Sequence, residues 1–417
     1  MAVRTGKHDV ETAPRERGAV LGQWNSAVTS YYLILGASAL LVALGLVMVL
    51  SSSSVSALSE GGSAYSIFLN QAKFALIGLP LAWVASRLPI GFYKRFAWHL
   101  LGLAVVLQLL VFSPLGVKVN GNRNWLDIGG GQRLQPSEMA KLALAVWLAA
   151  VLARKRPLLD RWMHVLVPGV VVATAMIGLV LLGSDLGTAI ILMVLVGGSL
   201  FVAGVPLRMF GVASIGAVLA VVVLVQSGNR RMARIEAHFS PDCDTQGICY
   251  QTLRGKYGLA SGGLTGVGLG ESREKWSYLP EAHNDFIFAI LGEELGLMGT
   301  LLVLGLFGVL AVAMTRVIRR HTDPFVQIAT AGIGAWILGQ SLINIGVVIG
   351  LLPVIGVPLP LVSAGGSALI TTMMGLGVVL SFARQEPGAA EALGARAGVV
   401  RRSLAVVGAS ARRSRRG

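Results

Sequence analysis

The sequence predicts an all-α polytopic membrane protein with about ten transmembrane helices, both termini inside, and one large extracytoplasmic loop between helices seven and eight. Hydrophobic residues make up 54% of the 417 residues and charged residues 13%, whereas soluble chains carry about a quarter charged residues. The mean hydropathy is +0.71. These values exclude a disordered protein, a nucleic-acid-binding domain and an ordinary cytosolic enzyme. Two cysteines are too few for a disulfide-stapled scaffold.

Ten apolar stretches are candidate membrane spans, because a spanning helix needs about 20 mostly apolar residues to satisfy its backbone within hydrocarbon. They cover residues 31–50, 66–86, 96–114, 138–153, 163–182, 186–205, 207–226, 286–314, 326–350 and 359–383. The fourth stretch is short, and the eighth is long enough to begin outside the bilayer. Residues 1–30 are polar, so we expect no signal peptide and a first span that stays in the mature chain.

The distribution of Lys and Arg orients these spans, since cytoplasmic loops carry an excess of both residues. Most of the 35 basic residues fall in segments that are inside when both termini are cytoplasmic. Residues 1–30 and 386–417 lack an apolar helical stripe, and we interpret them as disordered cytoplasmic arms around a membrane domain at 31–385. The net charge of +15 is then mainly a topology signal. Contact of the C-terminal arginines with anionic lipid is the alternative.

Residues 227–284 form the long outer loop, and a loop of this length in a compact helical bundle is more often functional than not. Its charges are balanced, whereas a nucleic-acid site would need a surface of one sign. Balanced charge suits a site that holds an anionic group and has a carboxylate nearby. The basic residues are Arg230, Arg231, Arg234, Arg254, Lys256, Arg273 and Lys275, and the acidic ones are Glu236, Asp242, Asp244, Glu271, Glu274 and Glu281.

Two segments of this loop suggest chemistry. The run GKYGLASGGLTGVGLG at 255–270 either cradles a phosphate with its amides or forms a tight turn at the membrane surface. No βαβ unit flanks it, so it is not a dinucleotide motif. Further on, Glu281, His283 and Asp285 follow Pro280 at the outer mouth of span eight. Asp285 is either the helix N-cap or a general base, and we favour the general base.

Charged residues within the predicted spans need partners and are functional candidates by default. Glu138 and Lys141 share a helical face and form a predicted pair, which is either structural or part of a site. For Glu293 and Glu294, a buried ion pair that locks the bundle and a proton relay both stay open. The set comprises Lys73, Glu138, Lys141, Glu293 and Glu294, and Arg123 and Arg133 in the outer segment before span four are candidate phosphate contacts.

The two cysteines lie close together in the outer loop. Cys243 and Cys249 stand in CDTQGIC, and the oxidising outer compartment favours a disulfide between them. Six scattered histidines and two cysteines show no metal-ligand spacing, so the sequence predicts no zinc site.

Four segments carry a family resemblance: NGNRNWLDIGGGQRLQPSEMAKL (120–142), SDLGTA (184–189), YQTLRGKYGLASGGLTGVGLGESREKWSYLPEAHNDFIFAILGEELG (250–296) and PLVSAGGSALI (360–370). With them the chain resembles the SEDS family of polytopic membrane glycosyltransferases, which includes FtsW, RodA and SpoVE, and is most similar to the FtsW branch. The third segment is the most specific, because it joins the glycine run to LPEAH-x-DFIFA-xx-GEELG. The resemblance covers roughly residues 31–385 and implies ten helices with both termini inside.

The resemblance implies a glycosyltransferase that polymerises lipid II, an undecaprenyl-pyrophosphate-linked disaccharide-pentapeptide, on the outer face of the bacterial cytoplasmic membrane and releases undecaprenyl diphosphate. It implies as partners a class B penicillin-binding protein (an FtsI-type transpeptidase) and other divisome membrane proteins. It assigns the essential aspartate to Asp285, as the base for the acceptor hydroxyl. Glu281 is a second acid that positions a cation or the substrate, and the cationic candidates for the pyrophosphate are Arg231, Arg234, Arg254 and Lys275.

The resemblance leaves several points open. A divalent cation, Mg²⁺ or Mn²⁺, is a family-level expectation without a ligand motif in this sequence. Asn124 stands where the family often has Arg before Trp, and Asn284, Ser184 and Ala364 also depart from the family pattern. A lipid II flippase and a non-catalytic division scaffold are the alternative functions. The basic arms favour a division role at the septum over an elongation role.

Overall fold

The computed structural model describes residues 26, 28–59, 61–119, 121–130, 132–226, 232–233, 236, 238–240, 244, 247, 249–276, 278–389 and 391–393. Most of these residues are helical. The helices are α1 Thr29–Ser59, α2 Ser66–Arg87, α3 Ile90–Leu110, α4 Pro136–Lys155, α5 Trp162–Val165, α6 Val171–Leu182, α7 Leu186–Ala203, α8 Leu207–Gln226, α9 Tyr250–Ser261, α10 Ile287–Arg320, α11 Pro324–Val348 and α12 Gly366–Arg384. A π-helical turn, Leu166–Val170, joins α5 to α6.

Nine helical segments in the described part of the chain are long and apolar enough to cross a membrane. The chain is therefore a multi-pass membrane protein, and the predicted all-α fold class is confirmed. The seventh predicted span, 207–226, corresponds to α8, of which Leu207–Gly216 counts as a shorter apolar helix. The predicted arms at 1–30 and 386–417 lie largely outside the described residues, and their disorder stays a prediction.

A small antiparallel sheet between α3 and α4 was not predicted. Its strands are β1 Gly116–Val119, β2 Asn122–Asp127 and β3 Arg133–Leu134, in the order β1-β2-β3. The amide of Arg123 donates to the carbonyl of Gly183 at 3.0 Å, which ties β2 to the end of α6. A Cβ at Gly183 would lie 2.7 Å from the Arg123 oxygen, so this approach requires glycine. The sheet thereby holds β2 against the start of α7.

Helix α4 lies at the centre of the bundle, in contact with α3, α6, α7, α11 and α12. Small buried residues along it, including Ala140, Ala145 and Ala149, let the neighbouring helices approach closely, as is common between helices in membranes. Outside this centre, α2 packs on α12, α7 on α11, and α1 on α10. The polar first turns of α4 are therefore enclosed by other helices.

Helix α10 is interrupted at Gly296, whose φ of 65° and ψ of −163° are not helical. The glycine-rich run crosses the helix there, and Val267 N donates to Glu293 O at 3.0 Å while Leu297 N donates to Gly263 O at 2.9 Å. A Cβ at Gly296 would lie 2.3 Å from Gly266 N. Residues 255–261 of the run belong to α9, and residues 262–270 form a tight turn docked on α10, which is one of the two interpretations that the sequence left open.

Candidate functional site

A polar cavity of about 1200 Å³ lies among the ends of helices that the charge pattern assigns to the outer side. Its walls come from α2, β2, the starts of α4 and α7, the turn at 281–285 and the segments 353–358 and 364–368. Lys141 is the one Lys or Arg among the described residues that line it. The cavity is therefore richer in acid than in base, with the carboxylates Glu138, Asp185, Glu281 and Asp285 and the amides Asn70, Gln71, Asn122, Asn124, Gln135, Gln251, Asn284 and Gln340.

Asp285 lies on the cavity wall directly before α10. Asn344 Nδ2 of α11 donates to the Asp285 carbonyl and to the Val357 carbonyl, each at 2.7 Å. A Cβ at Gly356 would lie 3.5 Å from Asp285 Oδ2, so the backbone of the 353–358 segment flanks the carboxylate. The N-cap position of α10 is occupied by Phe286 and not by Asp285. The capping interpretation of Asp285 is therefore not supported.

The turn that carries Asp285 is held in an uncommon backbone conformation. Glu281 has φ 56°, a strained value for a residue with a side chain, and such strain clusters at functional sites. Asn284 Nδ2 donates to Glu281 Oε2. Ser363 Oγ donates to the Asn284 carbonyl at 2.8 Å, and Ala364 N donates to the His283 carbonyl at 2.9 Å. The turn is thus fastened to the segment before α12.

Asp185 is a cavity carboxylate that the sequence reasoning missed as a site residue. Thr188 donates to it twice, from N to Oδ1 at 2.9 Å and from Oγ1 to Oδ2 at 2.8 Å. Asn124 Nδ2 and Gln135 Nε2 both donate to Oδ2 at 3.0 Å. As the N-cap of α7, Asp185 also faces the positive end of the helix. The sequence did contain a signal, because Asp185 lies in SDLGTA, one of the segments that carry the family resemblance.

The predicted pair of Glu138 and Lys141 is present at the base of the cavity. Lys141 Nζ lies 2.7 Å from Glu138 Oε1, and both side chains are buried. Lys141 Nζ also donates to Gln340 Oε1 at 2.9 Å and stands 4.9 Å from the centroid of the Trp336 ring. The second oxygen, Glu138 Oε2, has no hydrogen-bond partner among the described residues. The pair both packs the helices and presents charge to the cavity.

Glu293 and Glu294 belong to a separate buried cluster, which we term the loop clasp: Ser51, Ser272, Lys275, Glu293 and Glu294. Lys275 Nζ lies 3.3 Å from Glu294 Oε1, and Ser51 Oγ of α1 donates to the two Glu294 oxygens at 2.6 and 2.7 Å. Ser272 Oγ donates to Glu293 Oε2 at 2.5 Å. These contacts fit a structural lock in which Lys275 is the cation.

Two predicted pyrophosphate contacts, Lys275 and Arg254, are not among the residues that line the polar cavity. Lys275 lines no part of the polar cavity, because Glu294 and the Gly270 carbonyl hold its ammonium group. Arg254 Nε pairs with Glu274 Oε2 at 3.0 Å, and its guanidinium stacks on the Tyr278 ring with Cζ 4.4 Å from the centroid. Burial raises the pKa of the Glu274 carboxyl; Arg254 opposes the shift and Glu293 adds to it.

The remaining candidates also lie away from the cavity or outside the described residues. Arg123 donates from its guanidinium to the Ser113 carbonyl at 2.8 Å, and Arg133 is exposed on β3; neither lines the cavity. Lys73 is exposed on α2. Cys249 is disulfide-bonded, but the pairing stays a prediction because Cys243 is not described. Arg231 and Arg234 likewise lie outside the described residues.

The residues present do not fit a protein-only metal site. Within the described residues, no group of three or more His, Cys, Asp or Glu side chains is placed to hold a metal ion. Mg²⁺ is commonly bound by one or two carboxylates together with substrate phosphates, and of the cavity carboxylates Glu281 and Asp285 share one turn, whereas Glu138 lies on α4 and Asp185 before α7.

Comparison with known proteins adds to this geometry. The family model described as "Cell cycle protein", which covers FtsW, RodA and SpoVE, matches residues 31–387. Among curated proteins, "Probable peptidoglycan glycosyltransferase FtsW" of Mycobacterium tuberculosis is 42% identical over 396 residues, covering 94% of this chain and 75% of the relative. The protein of the same name from Coxiella burnetii is 37% identical over 348 residues, covering 82% of this chain and 93% of the relative.

Two solved structures have the same architecture. One, from a study titled "Structural coordination of polymerization and crosslinking by a peptidoglycan synthase complex", superposes with a TM-score of 0.69 at 28% identity, covering 84% of this chain and 96% of that chain. The rod shape determining protein RodA of Thermus thermophilus superposes with a TM-score of 0.64 at 28% identity, covering 85% of this chain and 97% of that chain.

Proposed function

This chain belongs to the FtsW, RodA and SpoVE family of cell cycle proteins, and on that premise we propose that it is a peptidoglycan glycosyltransferase that polymerises lipid II with Asp285 as the general base. One observation carries the proposal: Asp285 lies on the wall of a polar cavity of about 1200 Å³, where its backbone is held by α11. A carboxylate fixed on a cavity wall can accept a proton from a bound hydroxyl.

The proposed reaction is a direct displacement at the anomeric carbon. Asp285 removes the proton of the acceptor hydroxyl while that oxygen forms the new bond to the anomeric carbon of the donor. The bond from that carbon to the pyrophosphate oxygen breaks, and undecaprenyl diphosphate leaves with the electron pair. Lys141 supplies positive charge at the base of the cavity, and Arg231 and Arg234 are the further candidates for the departing pyrophosphate.

The cellular setting is part of the proposal. We place the reaction at the outer face of the bacterial cytoplasmic membrane, at the division septum, where a class B penicillin-binding protein cross-links the strands. The names of the related proteins, which speak of peptidoglycan glycosyltransfer, polymerisation and crosslinking, support polymerisation beside a cross-linking enzyme, and the family description "Cell cycle protein" supports a division role.

Reconstitution with lipid II tests the proposal. The purified chain and its transpeptidase partner in liposomes should extend glycan strands from lipid II supplied outside, so that no transport step is needed. Asp285→Ala should lose at least about 100-fold in rate, since general base catalysis contributes about 10²–10⁴-fold. Asp127→Ala, an exposed aspartate at the end of β2, is the matched control. Normal strands from the Asp285→Ala protein would refute the assignment, and transport of lipid II without strands from the parent would favour a flippase.

A further inference from the structure

Asn124, Gln135 and Asp185 together form a patch of the cavity that the proposed reaction leaves unused. We term this patch the amide wall. It brings together β2, the residue before α4 and the N-cap of α7, and all three residues line the polar cavity. None of them is among the residues to which the catalytic step assigns a role.

Hydrogen-bond chemistry fixes the orientation of the two amides. An ionised carboxylate is an acceptor only, so Asn124 and Gln135 must present their NH₂ groups to Asp185 Oδ2, as they do at 3.0 Å each. The carbonyl oxygen of each amide therefore points away from Asp185. Because Thr188 also donates to both carboxylate oxygens, Asp185 is a fixed anchor that sets both amides at once.

This orientation leaves one buried acceptor without a donor. Asn124 is 7% exposed, and no donor among the described residues reaches its Oδ1. A buried polar atom without a partner costs free energy unless a ligand or water satisfies it. The amide wall is thus prepared to receive O–H or N–H donors from a ligand in the cavity.

The charge of the amide wall selects among the parts of a lipid-linked substrate. The Asp185 carboxylate and the unpartnered Asn124 Oδ1 disfavour a pyrophosphate, which carries acceptors and negative charge. A sugar with hydroxyl groups and an acetamido N–H can supply the donor that Asn124 Oδ1 lacks. The reacting sugar must also share the cavity with Asp285, whereas a stem peptide can extend outside it.

We propose that the amide wall is a saccharide subsite that binds the N-acetylated sugar of the lipid-linked substrate, with Asp185 as the positioning residue that orients Asn124 and Gln135. This inference rests on the proposed function for the identity of the substrate.

Binding measured with three lipid probes tests the inference. The full chain carrying Asp285→Asn, which prevents turnover, is placed in nanodiscs and titrated with undecaprenyl diphosphate, with undecaprenyl-diphosphate disaccharide that lacks the stem peptide, and with lipid II. Asn124→Ala and Gln135→Ala should each weaken the two sugar-bearing probes by about fivefold, the equivalent of one hydrogen bond. Asp185→Asn should weaken them by about tenfold or more, because it releases both amides.

The affinity for undecaprenyl diphosphate should stay within about twofold in every variant, which also shows that the variants are folded. Asp127→Asn, on the same strand but exposed, is the matched control. Unchanged affinity for the sugar-bearing probes, or equal losses for all three probes, would overturn the inference. Loss confined to lipid II would assign the wall to the stem peptide and would also overturn it.

The proposed function fails in a different way. If the parent complex forms no strands from lipid II while the amide-wall variants still lose affinity for the sugar-bearing probes, the saccharide subsite stands and the polymerase assignment falls. If strands form and the affinities are unchanged, the polymerase stands and the subsite falls.

Discussion

The polar cavity and the loop clasp both take carboxylates from the first part of α10 or from the turn before it, yet the two regions use them in opposite ways. In the loop clasp, Glu294 accepts from Ser51 and pairs with Lys275, and Glu293 accepts from Ser272 and from the Arg273 amide. In the cavity, Asp285 lies on the wall of a space that can admit a ligand. The two regions therefore differ in whether a ligand can reach the carboxylate, and in whether a lysine pairs with it.

The comparison teaches that a carboxylate inside a membrane protein is a functional candidate only if its surroundings leave room for a substrate. The loop clasp joins α1, the glycine-rich loop and α10, and it fills the space around both glutamates with protein donors. Around the cavity, by contrast, side chains such as Asn344 hold neighbouring segments by donating to backbone carbonyls, and other polar side chains line the interior.

Removal of the cation of the loop clasp should have the largest effect on stability. Lys275→Met leaves the buried Glu294 without its ion pair, and breaking a buried pair in this way costs about 3–5 kcal/mol. The free energy of unfolding, measured by SDS titration in mixed micelles, should fall by that amount. Lys73→Met, on the exposed face of α2, is the control and should change it little.

A second variant separates the ion pair from simple packing. The double change Lys275→Met with Glu294→Gln removes both charges, so much of the lost stability should return. If the double variant is as unstable as Lys275→Met alone, the ion pair does not stabilise the loop clasp. The contrast between a charge-locked clasp and an open cavity would then be wrong.

Gly296→Ala should also destabilise the clasp region, by a smaller amount. The φ and ψ of Gly296 lie in a region that is essentially restricted to glycine, and a side chain there costs about 1–3 kcal/mol, to which the 2.3 Å approach to Gly266 N adds a clash. The thermal midpoint in detergent should fall. Gly305→Ala in the same helix, where a Cβ meets nothing within 4 Å, is the control and should not lower the thermal midpoint. Equal losses in the two variants would contradict the packing of the glycine-rich run across α10 at Gly296.

The smallest expected effect is a pH dependence from Glu274. Because burial raises the pKa of this carboxyl above its ordinary value of 4.5, the folded chain binds more protons than the unfolded chain just above that pH. Stability should therefore fall as the pH rises from about 4.5 through the folded pKa. Glu274→Gln should flatten that part of the thermal-midpoint profile, and the exposed Glu271→Gln should leave it unchanged. An unaltered slope in Glu274→Gln would show that Glu274 titrates normally.

The sequence predicted the features that depend on long apolar runs and on helical spacing. The described spans and the pairing of Glu138 with Lys141 follow from residues that are neighbours along one helix. The sheet β1-β2-β3 was missed because its strands are short and lack a clear alternation. Helix α9 was missed because it lies inside a glycine-containing stretch with little apolar periodicity.

The site was only partly predictable for the same reason. Asp285 was predicted from its position at the outer end of a span. The position of Lys275 depends on contacts with Ser51 of α1 and Glu294 of α10, which are distant from it in the sequence. Asp185 stood out only as part of SDLGTA, and its role in orienting Asn124 and Gln135 requires β2 to be placed against α7. Such contacts between distant segments cannot be read from local pattern.

The rate of strand growth per folded molecule in two variants tests the central claim most directly. Asp285→Asn and Lys275→Met are each reconstituted with the transpeptidase partner, quantified as folded protein at a temperature well below both midpoints, and supplied with lipid II. We expect a loss of at least about 100-fold for Asp285→Asn and a rate within about threefold of the parent for Lys275→Met. A parent-like rate for Asp285→Asn, or a loss for folded Lys275→Met as large as that predicted for Asp285→Asn, would contradict it.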